Sequence, residues 1–296
     1  MIFFSLIIPT YNRVHLITKT LESVRCQTFK DVEVIIIDDG STDGTGEHIN
    51  HYIQKHELRG WYYTRTNNCE RGAARNTGIR MATGQFITFL DSDDLIYETH
   101  LQKAHDYLSS KEQVKVLHSA YEIQTHNGTR KIHYKKTLLL NKQVLDGNLL
   151  SCFGMFIQKA VFDQTMFNEN RKLSGSEDWL LWLKLSVHYD IYLQNEITGC
   201  LVEHSERSVL NFTPVQLRER ASMMREQLQN DTGFMHKYGQ KTVTNIYAHM
   251  LSYGALHLIL SKNKRQGVYL FGKAVSHNYK ELFSKRTVGI LKHLLF

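Results

Sequence analysis

The sequence predicts an α/β protein with a doubly wound, mainly parallel sheet, followed by a helical extension. Three observations lead there. Short apolar runs at 4–9, 32–37 and 86–90 have the length and composition of strands buried on both faces. Segments with apolar residues at helical spacing separate them, so strand and helix alternate over roughly 90 residues. From about Gln216 onward only helical patterning remains, and Pro214, one of two prolines, marks the change.

Each element follows from a local signal. Residues 4–9 read as a first strand, because they lack the positive leader and small-residue cleavage site of a signal peptide. Leu16, Thr20, Leu21 and Val24 share one stripe of a helix over 14–27. Strand 32–37 runs into Asp38-Asp39-Gly40-Ser41-Thr42-Asp43, where Asp43 is placed to cap a helix over 45–55. A short strand at 61–64 and a helix at 71–81 follow, and Gly84 ends the turn before strand 86. Residues 98–110 predict a helix and 114–123 a strand, which Asn127-Gly128 joins by a hairpin to 130–134. A strand at 153–157 precedes Ser174-Gly175-Ser176-Glu177-Asp178. There Ser174 and Glu177 fit a capping box heading a helix with Trp179, Trp182, Leu183 and Leu185. Two short strands, 191–193 and 200–202, end near Glu203-His204.

The composition, 42% apolar and 22% charged, is that of a folded globular chain. No apolar run approaches the roughly 18–20 residues of a membrane-spanning helix. Cys26, Cys69, Cys152 and Cys200 are far apart and lack zinc spacing, so they read as reduced thiols.

Charge is unevenly placed. In residues 260–296, Lys262, Lys264, Arg265, Lys273, Lys280, Lys285, Arg286 and Lys292 meet a single acid, Glu281, so this segment carries the whole formal net charge of +7. A neutral body with a basic tail points to an anionic surface. Within 283–296, apolar residues recur at helical spacing with basic ones opposite, as in a helix lying in a bilayer interface. Each basic residue there would contribute about 1 kcal/mol. The alternative is a packing helix folded back on Ala255, Leu258 and Leu260. Nucleic acid is not expected, since no nucleic-acid-binding module accompanies the charge.

Chemistry concentrates at strand ends. The run Phe86-Ile87-Thr88-Phe89-Leu90 stops in Asp91-Ser92-Asp93-Asp94. On an extended backbone Asp91 and Asp93 share a side, where two carboxylates suit a hard divalent cation. Thr10-Tyr11 and Asp38-Asp39 end neighbouring strands at the edge where open α/β sheets bind ligands. Acids gathered there repel unless they hold a cation or accept from ligand hydroxyls and ring N–H groups. Gly44-Thr45-Gly46 lacks a third glycine and follows the second strand, which argues against a dehydrogenase. No GxxxxGK[ST] loop occurs.

Taken together, several motifs resemble those of family 2 glycosyltransferases. They are Ile7-Ile8-Pro9-Thr10-Tyr11-Asn12-Arg13, Ser23, Gln27-Thr28, Ile35-Ile36-Ile37-Asp38-Asp39-Gly40-Ser41-Thr42-Asp43, Arg71-Gly72-Ala73-Ala74-Arg75-Asn76-Thr77-Gly78, Phe89-Leu90-Asp91-Ser92-Asp93-Asp94 and Glu177-Asp178-Trp179. The resemblance spans residue 4 to about 205. It implies a GT-A fold over 1–210, with a nucleotide-binding half at 1–95 and an acceptor half at 96–210, before a helical region at 211–296.

The resemblance also implies roles. Tyr11 would lie against the base, with Pro9 and Thr10 beside it and Asp39 accepting from a ring N–H. Asp38 would either serve the base or cap its own loop through Ser41 and Thr42. Arg71 would sit near base or phosphates; Arg75 would do likewise, or pair with the acids. Asp91 would meet ribose or metal, and Asp93 would ligate Mn²⁺ or Mg²⁺, which neutralises the departing diphosphate. His204 would join the metal or diphosphate, with Arg207 near the same phosphates. Asp178, ionised at a helix start, would be the general base. Glu177 and Trp179 are further candidates beside phosphate or acceptor, Glu177 alternatively serving only as a cap. Asp94 receives no role.

The implied reaction is inverting transfer of a hexosyl or N-acetylhexosaminyl group from a nucleotide-diphospho-sugar, UDP-linked by expectation. The acceptor would be a glycan or lipid-linked hydroxyl in surface polysaccharide or glycolipid synthesis. Without a QxxRW motif or membrane spans, one sugar per encounter is expected, by a cytoplasmic protein peripheral on the inner face of the cell membrane. A sugar nucleotidyltransferase would need a basic glycine-rich loop after the first strand, and Thr10–Arg13 does not supply it. A non-catalytic sugar-nucleotide-binding scaffold is the remaining alternative.

Overall fold

The first strand, β1 (Phe4–Thr10), is buried along its whole length, so both faces of the sheet must be covered at its centre. A computed structural model describes residues 2–135, 138–204 and 212–295. In it β1 pairs in parallel with β2 (Val32–Asp38) and β4 (Phe86–Phe89), and β2 pairs in parallel with β3 (Trp61–Arg65). The crossovers are α1 (Ile17–Arg25), α2 (Thr45–Lys55) and α3 (Glu70–Met81). Side chains alternate across the sheet. Phe4, Leu6 and Ile8, with Val34 and Ile36, face a core shared with Ile17, Leu21 and Val24 of α1 and Ile49 and Tyr52 of α2. Ile7 points the other way, against Gly78 of α3, where an added Cβ would come within 2.4 Å of Ile7 Cγ2.

Beyond β4 the sheet becomes mixed. β5 (Leu95–Ile96) and α4 (His100–Ser109) lead to β6 (Val116–Thr125), which forms a hairpin with β7 (Gly128–Lys131). β8 (Met155–Gln158) runs antiparallel to both β4 and β6 and so joins the two halves. After α5 (Glu177–His188), β9 (Ile191–Val202) pairs in parallel with β6 and antiparallel with β5. The order is β3-β2-β1-β4-β8-β6-β9-β5, with β7 on β6. Two short strands expected at 191–193 and 200–202 are one continuous strand. It keeps pairing through register shifts opposite Ser119–Glu122, and these break the alternation that a sequence pattern reads.

Two other expectations change. Asp43 does not cap α2; Gly44 does, at φ +89°, and Asp43 instead accepts from the Thr45 and Val14 backbone N–H groups at 3.0 and 3.2 Å. β4 ends at Phe89, and the Asp94 N–H donates to the Asp91 carbonyl at 3.0 Å. The acids therefore occupy a turn, and the strand alternation that would put Asp91 and Asp93 on one side does not apply.

The described residues fall into two compact units. One comprises the described part of Met1–Gln143 with Leu149–Arg171 and Glu177–His204; the other comprises Val144–Asn148, Lys172–Ser176 and the described part of Ser205–Phe296. The second is helical: α6 (Pro214–Gln229), α7 (Thr232–Leu260), α8 (Lys264–His277) and α9 (Lys285–Leu295). Thr213 and Gln216 form a capping box at α6, Asp231 caps α7, and α7 is broken at Gly239. Among the described residues no helix is long and apolar enough to cross a membrane.

The tail departs from a simple amphipathic helix. Arg286 turns inward, donating to Ser252 Oγ at 2.6 Å and the His249 carbonyl at 3.2 Å, with Glu281 at 3.8 Å. Burial, reinforced by this guanidinium, drives the His249 pKa down to about 3, so the ring is neutral.

The amino ends of the parallel strands are tied by a buried carboxylate. Glu33 on β2 accepts from the hydroxyls of Ser5 and Thr83 at 2.6 and 2.9 Å and from the Thr83 and Gly84 N–H groups at 2.6 and 3.2 Å. Burial alone would raise its pKa, but these donors outweigh it and hold the group below its ordinary value. A lowered folded-state pKa gives stability that is present above the unfolded value and lost as pH falls through the folded one. Glu33→Gln should therefore cost about 1.5–3 kcal/mol at pH 7, with the deficit shrinking in acid. Urea melts at pH 7 and pH 3 measure this.

Candidate active site

In the β1–β2 register Thr10 is paired with Asp38, which sets the two loops leaving these strands side by side. The Asp39 N–H donates to the Thr10 carbonyl at 2.8 Å. Asp38 is buried and accepts from the Ser41 N–H and the Tyr63 hydroxyl, each at 2.8 Å, so it organises its own loop. Asn12, in the left-handed region at φ +50°, bridges the loops: its N–H donates to Ser41 Oγ and its Oδ1 accepts from the Thr42 N–H, both at 2.9 Å. Arg65 donates to the Ser41 carbonyl at 2.8 Å.

Asp39 is buried beside this loop. Its Oδ1 accepts from the Cys69 N–H at 3.0 Å and the Thr66 hydroxyl at 3.2 Å, and burial pushes its carboxyl up. Thr10 Oγ1 is buried with no hydrogen-bond partner among the described residues, while Tyr11 is half-exposed. Pro9, buried in β1, precedes them. An orphaned hydroxyl, an exposed aromatic face and a buried carboxylate thus lie at one carboxyl edge.

The acids of the 91–94 turn are divided among separate partners. Asp91 Oδ1 meets Arg75 at 2.6 Å, and the same guanidinium meets Glu177 Oε1 at 2.8 Å. Arg75 is only 1% exposed, with its guanidinium 5.2 Å from the Phe167 ring centroid. Of its two expected roles, phosphate contact or ion pair with the acids, the geometry is that of the ion pair. Asp93 Oδ2 lies 3.0 Å from His204 Nε2 and 3.8 Å from Arg13 Nε. His204 Nδ1 is buried without a hydrogen-bond partner among the described residues. Asp94 accepts from the Val202 N–H at 3.0 Å through Oδ1, and its carbonyl accepts from Thr20 Oγ1 at 3.0 Å, so it pins the end of β9 to the turn.

Asp178 stands in the first turn of α5, partly exposed. Its Oδ1 accepts from the Trp179 N–H at 2.7 Å, and its Oδ2 lies 3.9 Å from Cys152 Sγ. Burial pushes the Cys152 thiol up, so it remains a neutral S–H beside the carboxylate. Trp179 is buried. Arg71 Nε lies 3.8 Å from Glu177, and the Arg71 side chain is partly open to solvent. Glu177, expected as a phosphate or acceptor contact or as a cap, is buried with Arg75. Arg207 lies outside the described residues.

The geometry adds Arg13 and Cys152 to the residues singled out from sequence. Arg13 sits in the Pro-Thr-Tyr-Asn-Arg string, which could have flagged it. Nothing around Cys152 in the sequence marks it, because its neighbour Asp178 is brought near by folding. Among the described residues no group of three or more His, Cys, Asp or Glu side chains is arranged to hold a metal. Asp93 and His204 do converge, and one oxygen and one nitrogen donor suit a cation that completes its shell with phosphate oxygens and water.

The acids and aromatic residue at the carboxyl ends of β1, β2 and β4 lie at the edge where open α/β sheets bind ligands. The family model described as "Glycosyl transferase family 2" matches residues 5–167, and the chain belongs to that family. WfgD of Escherichia coli, named as a UDP-Glc:alpha-D-GlcNAc-diphosphoundecaprenol beta-1,3-glucosyltransferase, is 30% identical over 185 residues, covering 61% of this chain and 68% of that protein. The structure of S. aureus TarS 1–349 in complex with UDP-GlcNAc superposes with a TM-score of 0.65 at 21% identity, covering 94% of this chain and 92% of that one. A mannosyltransferase from Pyrobaculum calidifontis, in complex with GDP-Man and Mn²⁺, superposes with a TM-score of 0.59 at 15% identity, covering 99% and 86%. These last two show a shared fold, a GT-A-like sheet with C-terminal helices. The chain spans 30% or less of the length of the first curated relatives it matches.

Removing Arg75 would leave two carboxylates without their buried counter-charge. Arg75→Leu should lose about 3–5 kcal/mol of stability, the cost of breaking a buried pair. Chemical denaturation measures it, and an unchanged midpoint would refute the bridging role.

Proposed function

We propose that this chain is an inverting, metal-dependent, non-processive glycosyltransferase. It uses a UDP-linked hexose or N-acetylhexosamine and a glycan or lipid-linked hydroxyl, working at the inner face of a cell membrane. The observation that carries the reading is the Arg75 bridge. By pairing with Asp91 at 2.6 Å and Glu177 at 2.8 Å, it couples the turn bearing Asp93 to the helix start bearing Asp178. Donor-binding acids and a candidate base are thereby held in one unit. The UDP-sugar named for WfgD and the UDP-GlcNAc bound to TarS support the donor, and the diphosphoundecaprenol in WfgD's name supports a lipid-linked acceptor. We divide the chain accordingly into a catalytic domain at 1–210, with donor half 1–95 and acceptor half 96–210, and a helical region at 211–296.

In this mechanism Tyr11 lies against the uracil, Pro9 and Thr10 border it, and Asp39 accepts its ring N–H. Asp93 and His204 would hold Mn²⁺ or Mg²⁺, which when bound neutralises charge on the departing diphosphate. Arg13, beside Asp93, and Arg71 supply fixed positive charge to the phosphates. Asp178 accepts the proton of the acceptor hydroxyl as that oxygen attacks the anomeric carbon from the face opposite the leaving group. Cys152 and the Trp179 N–H orient its two oxygens.

General-base assistance is worth about 10²–10⁴-fold, so Asp178→Asn should lower kcat by that order while leaving UDP affinity intact. Asp93→Ala should abolish nucleoside diphosphate release that EDTA also suppresses and Mn²⁺ restores. Full activity in both variants would overturn the mechanism; tight UDP-sugar binding without turnover on any acceptor would favour a scaffold. Because burial raises the Asp39 pKa, its carboxylate is lost on acidification earlier than a free aspartate, whose pKa is about 3.9. UDP affinity, measured calorimetrically, should weaken with a midpoint above that value, and Asp39→Asn should remove the dependence.

A further inference from the structure

The helical unit carries a surface that the donor site does not use. In α9, Thr287 and Ile290 are buried and Arg286 is wired to Ser252 and His249, which fixes the rotation of the helix. Gly289 also faces Leu256 of α7, where an added Cβ would lie 3.5 Å away. At 3.6 residues per turn, Val288 and Leu291 lie on the opposite side, and they are 69% and 51% exposed. Phe283, in the turn before α9, is 83% exposed. The helix therefore has two apolar faces, one spent on α7 and one turned to water. Rotation cannot exchange them without breaking the Arg286 contacts.

The exposed face is framed by charge of one sign. Lys285 and Lys292 lie three residues before and four after Val288, on its side of the helix, and both are exposed, as is Lys280. The sole acid in this segment, Glu281, is buried and accepts from Ser252 Oγ at 2.6 Å. Among the described residues beyond Leu260, every exposed charged side chain on the Asp, Glu, Lys and Arg scale is thus a cation. Outward apolar groups rimmed by lysines complement a bilayer interface, with Phe, Val and Leu entering the acyl boundary and ammonium groups meeting anionic headgroups. A protein partner's apolar patch would not call for a rim of unopposed positive charge.

We propose that Phe283, Val288 and Leu291, framed by Lys280, Lys285 and Lys292, form a docking surface for an anionic lipid bilayer. This deepens the membrane location proposed above and separates it from the two-faced helix expected from sequence, since Arg286 belongs to the interior and takes no part. The surface would hold the enzyme where a lipid-linked acceptor resides.

Co-sedimentation of the full chain with vesicles tests this without donor or acceptor. Binding is expected to vesicles of phosphatidylcholine containing phosphatidylglycerol, and not to phosphatidylcholine alone. The triple variant Phe283→Ser, Val288→Ser, Leu291→Ser and the triple variant Lys280→Glu, Lys285→Glu, Lys292→Glu should each weaken it at least tenfold, with thermal melts showing the fold retained. Arg286→Gln is left out of the set because it would disturb packing. Equal binding to both vesicle types, unchanged binding in both variants, or light scattering showing that the apolar variant instead dissolves a dimer would overturn the proposal. Sugar transfer to a water-soluble acceptor should be unaffected in these variants, so loss of docking and loss of catalysis are read separately.

Discussion

A guanidinium buried between two carboxylates is the contact on which the candidate site depends. Arg75 projects from α3, Asp91 belongs to the turn after β4, and Glu177 opens α5. Glu177 lies 102 residues from Arg75, and none of these elements packs its backbone on the others through a sheet ladder. An isolated buried charge is strongly disfavoured, so Arg75 and Glu177, both buried, depend on each other, and Asp91 adds its charge from a partly exposed position. The pairing therefore sets where Asp93 and Asp178 stand. Phe167 closes over the guanidinium and keeps water from weakening the pair.

The same logic separates neighbouring acids into those that brace a loop and those that lie beside them at the strand edge. Asp38 is consumed by Ser41 and Tyr63, Asp91 by Arg75, and Asp94 by the Val202 N–H. Each leaves its neighbour, Asp39 or Asp93, braced beside it in the same loop. Carboxylates gathered at one strand edge repel one another unless they are paired, and dedicated cations and backbone donors pair them here. Arg13 extends the arrangement by bringing a positive charge to Asp93 from the loop after β1.

Much of this was legible from residue order. The apolar runs predict β1, β2 and β4, helical spacing predicts α1, α2 and α3, and the change near Pro214 predicts the helical region. The continuous β9 was not legible, because its register shifts interrupt the period-two pattern, nor was β5, which is only two residues long. Alternation suggested that Asp91 and Asp93 face one way. The early end of β4 at Phe89 makes that inference inapplicable, since alternation holds only while the backbone stays extended.

The sequence by itself determined which residue types gather at the strand ends, because chain order and parallel pairing place Thr10, Asp38 and Asp91 at one carboxyl edge. It also determined that the last segment is helical and basic. Only the tertiary structure decided that Asp91 pairs with Arg75 and Asp93 with His204, that Asp94 holds β9, that Cys152 lies by Asp178, and that Arg286 turns inward onto Ser252. Each of these is a contact between residues distant in the chain. A side chain's partner there depends on which elements pack together, and no local spacing encodes that.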